Sequence, residues 1–395
     1  MGAQLSRRQL LAAAGLSGTA ALTGCGSSGT QAPASPASTS SPTSAAATGA
    51  APALDEAALR RKVASLLVVG FRGQTVSAGD WIVRAIREQG LGGVILFDTD
   101  QLTGNPRNIT SPAQVTRLIT ALRSAAPGPL IVSIDQEGGK ISRLNPADGF
   151  PASESQAQVG AINQAAHTAA WAQGMVKSMT SIGVTMNFAP VVDLNVNPSN
   201  PAIGVLGRSF SANPNVVVTN AAEEIKVHRA ARVKTSIKHF PGFGSATGNT
   251  DFDVVDVTAT WHRAELAPFQ RLIAAGDTDS VLVAHLLNRQ LDPSKPMSLS
   301  RKVVTDLLRG ELGWQGPVVS DDMQAAGITG KYGDEEAFTL AMQAGVDLLV
   351  YANQQVHDPA IVSKTLDTAV RRVKSGDLTM AQIDAAVARV DKLRP

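Results

Sequence analysis

Eight short apolar runs, separated by stretches of helical period from residue 53 onward, constrain the fold of this chain more than any other feature. They are ASLLVVGF from Ala64, LGGVILF from Leu91, PLIVSID from Pro129, VTMNFAP from Val184, RVKTSIKHF from Arg232, DSVLVAH from Asp279, GPVVSDD from Gly316 and VDLLVYAN from Val346. Strand-length runs alternating with helices are the pattern of repeated βα units on a parallel sheet. The intervening stretches include DWIVRAIREQG, PAQVTRLITALRSA, AELAPFQRLIAAG, RKVVTDLLRGELG and EEAFTLAMQAG, and several close on the glycine that suits a helix C-terminus. The last, TMAQIDAAVARVDKLR, spaces Ile383, Val387, Val390 and Leu393 along one helix face. An α/β fold follows, and eight strands over residues 53–395 fit a (β/α)8 TIM-type barrel forming a single catalytic domain. A doubly wound open sheet is the alternative. The barrel makes the sharper prediction, because its chemistry sits at the carboxyl ends of the strands. Polar clusters do fall there, in DQEGG, NFAPVVD, KHFPG, AHLLN, SDD and YAN.

The first 52 residues read differently. SRRQLL, Ser6 to Leu11, sets twin arginines before a short Ala/Leu/Gly-rich run, the form of a bacterial twin-arginine export signal. That run ends in LTGC, and Cys25 is the single cysteine of the chain. Residues 1–25 are therefore expected to be a lipoprotein signal peptide whose Cys25 becomes the acylated N-terminus. A lone cysteine also excludes an intrachain disulfide framework. Residues 26–52 are rich in Ser, Pro, Ala and Thr and bury too little apolar surface to offset the entropy of ordering, so a flexible tether is expected. The expected location is the outer face of the bacterial cytoplasmic membrane, with lipid as the sole membrane attachment.

Charge removes several function classes. With 35 basic against 33 acidic residues the formal net charge is +2, which offers no field for nucleic acid. The six histidines form no H-x-x-x-H pair, and no metal or cofactor is expected. Gly242, Gly244 and Gly248 do not follow the G-x-G-x-x-G spacing of a dinucleotide loop, and Pro241 interrupts the turn. A monomer is expected.

Carboxylates gather at the predicted strand ends. IDQEGGKISRL carries Asp135 and Glu137 before Gly138-Gly139, a pair that lets the chain turn sharply toward a ligand. Asn187 and Asp193 flank the next strand end, with Asp193 orienting neighbours or capping a turn, and Arg208 lies in a loop with its fork of donors. Lys238 and His239 are adjacent, so a regular strand would point them to opposite faces. Asp321 and Asp322 end the seventh run. Adjacent carboxylates raise each other's proton affinity, and one helix cap explains only one of them.

Together DQEGGKISR, GRSF, KHFPGFG, AHLLNRQLDP, PMSLS and SDDM, in this order, resemble glycoside hydrolase family 3, in particular its bacterial single-barrel β-N-acetylglucosaminidases. The resemblance runs from about Leu54 to Leu393. It implies a retaining two-step hydrolysis through a covalent glycosyl-enzyme, with Asp321 as nucleophile by motif position. It further implies that Asp135, Arg143, Arg208, Lys238 and His239 hold a terminal, non-reducing GlcNAc. The implied substrate is a GlcNAc-terminated glycan or muropeptide from the cell wall. In the same family stand β-glucosidases and enzymes that transfer the sugar to phosphate, and a GlcNAc-binding lipoprotein without catalysis is the reading from another class.

The chain departs from its family in one loop. Where the resemblance implies KHFPGHG followed by Asp-Ser-His, this sequence has Phe243 and then Asp251-Phe252-Asp253. Asp253 stands at the place of the acid/base histidine and Asp251 at that of its aspartate. Either carboxyl is a candidate acid/base if apolar neighbours such as Phe252 and Val254 raise its pKa.

Overall fold

Apolar runs settle as strands where every side chain can be buried. The computed structural model describes residues 54–395, so the expected export signal, tether and Cys25 lie outside the described residues. Its strands are β1 Leu67–Gly70, β2 Gly93–Ile95, β3 Ile131–Ile134, β4 Gln136–Gly138, β5 Ile141–Ser142, β6 Met186–Asn187, β7 Lys234–Thr235, β8 Ile237–Phe240, β9 Val281–Val283, β10 Val318–Asp322 and β11 Leu348–Tyr351. β1, β3, β8, β9 and β11 are buried at every residue, as parallel strands covered by helices must be.

Pairing in the main sheet is parallel throughout, in the order β7-β6-β3-β2-β1-β11-β10-β9-β8. Val68 of β1 faces Gly93 of β2, while Leu67 faces Leu349 of β11, so the first and last strands are neighbours. The two ends of this order, β7 and β8, are halves of one run separated by Ser236 alone. Ser236 N donates to the Ala189 carbonyl at 3.0 Å and Val192 N to the Lys238 carbonyl at 2.8 Å, which carries the pairing across the break. A doubly wound sheet has two free edges. Among the described residues this ring leaves none, so the fold is the (β/α)8 barrel, with the RVKTSIKHF run broken into two pieces.

Helices form the outer layer by burying one stripe each. Pro112–Ala125 starts at Ser111, whose hydroxyl accepts from Gln114 N, with proline in the first turn where its missing N–H costs nothing. Val115, Leu118, Ile119 and Leu122 are its buried stripe, each contributing about 1.5–3 kcal/mol by leaving water. Around the ring, Ala165–Ile182 packs on Pro214–Ala230, and that helix on Ala267–Ala275. The C-terminal helix Met380–Val390 begins with a reciprocal Thr379–Gln382 cap and buries Ile383 and Val390. Leu393 is also buried, from a short 3₁₀ turn, Asp391–Leu393, that follows the helix.

Three glycines shape the loops at the carboxyl ends. Gly138 and Gly139 take φ of +91° and +59° and turn β4 into β5. A Cβ on Gly138 would sit 2.2 Å from the Glu154 carbonyl oxygen, so no side chain fits. At Gly244 a Cβ would meet the Leu194 oxygen at 1.7 Å, and the loop after β8 is thereby pressed against the one after β6.

Candidate active site

At the carboxyl ends of the strands lies a cavity of about 280 Å³, near the lower end of small-ligand sites. Asp135, Arg208, Lys238, His239, Asp251 and Asp321 all line it, and so does Arg143. Lys238 and His239 both reach the cavity although they are neighbours on β8. Its pairing with β9 shifts register between Ile237 and Phe240, and such an irregularity re-aims a side chain.

One charge network organises the wall. The Lys238 ammonium donates to Asp135 Oδ1 at 2.8 Å and lies 2.6 Å from Glu137 Oε1. Arg208 clasps Glu137 with both arms, Nε to Oε2 at 2.7 Å and Nη2 to Oε1 at 2.8 Å. It also donates to the Ala202 carbonyl at 2.8 Å. Burial opposes the Glu137 charge, but Arg208 and Lys238 outweigh it and hold the carboxyl far below the ordinary range. Burial works against Lys238 too, and Asp135 with Glu137 reverses it, so the ammonium is kept charged. Arg208 Nη2 lies 3.2 Å from His239 Nε2, and a guanidinium can only donate, so Nε2 accepts. His239 Nδ1 then donates to Asp193 Oδ2 at 2.7 Å. Asp193 is fully buried and accepts from the His239 and Phe243 N–H groups as well, which fixes the ring.

Arg143 stands apart from this network. Its guanidinium lies over the Phe97 ring, 5.3 Å from the centroid, with Nη1 3.7 Å from Asp98 Oδ1. A second cation near the same ring, Arg107, is buried and donates to the carbonyls of Phe71, Ala352 and Asn353.

Four carboxyls, Asp321, Asp251, Asp322 and Asp253, belong to the end of β10 and the loop after β8, and their environments differ. Asp321 is the penultimate residue of β10, with Oδ1 accepting from the Asp322 N–H at 2.9 Å. Burial raises its proton affinity, but His285, His239, that N–H and Lys238 together push it below the ordinary carboxylate range. Asp251 is raised, first by burial and then by the Asp321 charge. Asp322 is pushed up to about 7 by burial, against the N–H groups of Ala352 and Gln324, with Asp251 and Asp321 adding to the rise. Asp253, the positional match to the family histidine, is exposed, absent from the cavity wall, and turned onto the Val254 N–H at 2.7 Å. In place of the other expected histidine, Phe243 is buried edge-on to His239, with centroids 5.5 Å apart.

Several residues of the site carried weaker signals in the sequence. Glu137 is the hub of the network, and its position two residues from Asp135 on an extended segment was the clue that both share a side. Asn187 pins that segment, accepting from Gln136 N and donating to its carbonyl, each at 2.9 Å. His285 stood in the sequence only as part of the strand-end AHLLN cluster, with no role attached. Its Nε2 donates to the Asp322 carbonyl at 2.8 Å and its Nδ1 takes a bond from the Ser298 hydroxyl at 2.6 Å, so it braces the turn that carries Asp321 and Asp322.

Comparison with known proteins gives the chain a family and a fold. The family model "Glycosyl hydrolase family 3 N terminal domain" matches residues 58–393. "Beta-hexosaminidase A" of Pseudoalteromonas piscicida is 33% identical over 331 residues, covering 77% of this chain and 53% of that protein. "Beta-hexosaminidase" of Xylella fastidiosa strain M23 is 34% identical over 309 residues, 75% of this chain and 86% of the relative. Among solved structures, a glycoside hydrolase family 3 β-N-acetylglucosaminidase from Paenibacillus sp. strain FPU-7 superposes with a TM-score of 0.76 at 34% identity, over 85% of this chain and 62% of that one. The chain thus spans about half of the Pseudoalteromonas protein and most of the Xylella one.

Proposed function

Since the chain belongs to glycosyl hydrolase family 3, we propose that it is an exo-acting, retaining β-N-acetylhexosaminidase that removes terminal GlcNAc. One observation carries the reading. In a single cavity Asp321 is held ionised while Asp251 is raised toward its protonated form, and two carboxyls pushed apart in this way divide into nucleophile and acid.

In the first step an Asp321 oxygen forms a bond to the anomeric carbon as the bond to the aglycone oxygen breaks. Asp251 gives its proton to that leaving oxygen. Water then attacks the same carbon, Asp251 takes the water proton, and the Asp321 ester bond breaks with net retention. The wall formed by Asp135, Arg208, Lys238 and His239 supplies donors and acceptors for sugar hydroxyls and an acetamido group, and its mutual ion pairs keep it rigid. Asp251 in its ionised form would also repel a phosphate dianion, which favours water over phosphate as acceptor.

The test is turnover of 4-nitrophenyl β-N-acetylglucosaminide by residues 53–395, with and without phosphate, against the corresponding β-glucoside. Turnover without phosphate and preference for the N-acetyl sugar are expected. GlcNAc binding with no turnover would instead identify a non-catalytic binder. For the natural setting, cell-wall fragments released outside the membrane are the proposed substrate and Cys25 the lipid anchor, supported by the twin arginines and LTGC. Cys25→Ala should move the full chain out of the membrane fraction.

A further inference from the structure

Asp322 lies on the cavity wall beside the proposed nucleophile, and the proposed two-step reaction gives it no part. Its carboxyl is 8% exposed as a residue and unevenly satisfied. Oδ1 accepts from Ala352 N at 3.0 Å and Gln324 N at 3.1 Å, tying the end of β10 to the end of β11. Oδ2 is sealed and meets no donor among the described residues. The charged groups around it leave that oxygen without a donor. Asp321 precedes it on β10, Asp251 faces it from the loop after β8, and both disfavour its ionisation. His285 spends its N–H on the Asp322 carbonyl; Arg107 attracts an Asp322 charge across the barrel end, but its N–H groups go to main-chain oxygens and none reaches Oδ2. Tyr351, from β11, is itself raised far above its usual range. A carboxylate here would leave a buried oxygen unpaired beside the Asp321 charge, whereas a neutral acid keeps the Oδ1 bonds and omits the charge.

We infer that Asp322 works as a neutral carboxylic acid, a positioning residue that holds the Asp321 end of β10 against β11, and that its ionisation sets the alkaline limit of the reaction. This rests on the glycosidase reading for its consequence but not for its chemistry. Once ionised, Asp322 adds a negative charge beside Asp321 and strains the turn that aims it. Below that transition the site is intact.

The experiment compares wild type with Asp322→Asn, which keeps the shape and the Oδ1 acceptor but cannot ionise. An aryl N-acetylglucosaminide with a very good leaving group is used, so that proton donation by Asp251 drops out of kcat/KM. Wild type should lose kcat/KM above a pH of about 7, roughly tenfold per further unit, while Asp322→Asn stays flat and within about tenfold of wild type at pH 6. A limb that persists in Asp322→Asn, or a loss beyond about tenfold at pH 6 in a folded variant, overturns the inference. Tm supplies the arm that needs no turnover. A carboxyl raised in the folded state keeps its proton between the ordinary carboxyl range and about 7 while the unfolded chain gives it up, so wild type loses stability as pH rises through that window. The Tm advantage of Asp322→Asn should therefore grow from pH 4 to pH 7 by a few °C. A constant Tm difference overturns the neutral acid even if wild type is inert, and an inert wild type with a growing difference overturns the glycosidase reading and the alkaline limit together.

Discussion

The end of β10 and the loop after β8 each carry two carboxylic acids, and they deliver them to the cavity differently. On β10 Asp321 and Asp322 are adjacent, and both reach the wall because the strand ends in an irregular register against β11. In the loop Asp251 and Asp253 are separated by Phe252, yet only Asp251 reaches it. Asp251 is held by contacts on both sides, its N–H on Asn249 Oδ1 and its carbonyl accepting from Ala326 N, whereas Asp253 folds back on its own chain. Position along the chain is thus a poor guide to which acid is active. What matters is which backbone is anchored to the barrel.

The largest effect that can break this comparison is expected at Asp321. Asp321→Asn should lower kcat on the aryl glycoside by on the order of 10⁴-fold or more with little change in folding, measured beside the Tm of the variant. A residual rate within tenfold of wild type would remove Asp321 from the nucleophile's role.

Asp251→Asn comes next, with a loss of about 10²–10⁴-fold on substrates with poor leaving groups and much less on activated ones. Wild type should in turn lose activity on poor leaving groups as pH rises through the raised Asp251 transition, since the acid form is the one that donates. On the acid side activity persists below the ordinary carboxylate range, because Asp321 stays ionised there. Equal losses on both substrate classes would assign Asp251 to structure rather than proton transfer.

Glu137→Ala sharpens the contrast between the reacting acids and the wall that supports them. It leaves Arg208 and Lys238 facing each other without their shared carboxylate, and breaking such a buried pair costs about 3–5 kcal/mol. Chemical denaturation reads that loss directly. The smallest effect is expected at Asp253, where Asp253→Asn should change stability by less than about 0.5 kcal/mol and leave turnover near wild type. A drop comparable to that of Asp251→Asn would show that the loop rearranges on binding substrate.

Much of the architecture is legible in the sequence. All eight apolar runs form staves, since period and length reflect burial that local sequence encodes. The break at Ser236 is not, because it depends on how β8 meets the chain after β6. Within the site, motif order brought Asp135, Arg208, Lys238 and His239 to one cavity. The sequence shows Arg208 as a loop residue with a fork of donors but not what the fork grips, and its bidentate hold on Glu137 reaches a segment 71 residues away.

The sequence by itself determined the alternation of strands and helices, the strand ends where polar residues gather, and a loop with Phe243 and Asp253 at the two places where the resemblance implies histidines. Those are properties of neighbours along the chain. Tertiary structure decided which acids keep their protons: Asp321 and Asp322 are adjacent and chemically identical, yet one is drawn below the ordinary carboxylate range and the other raised to about 7. Proton affinity depends on the burial and charge of groups that only folding brings together, and a string of letters carries neither.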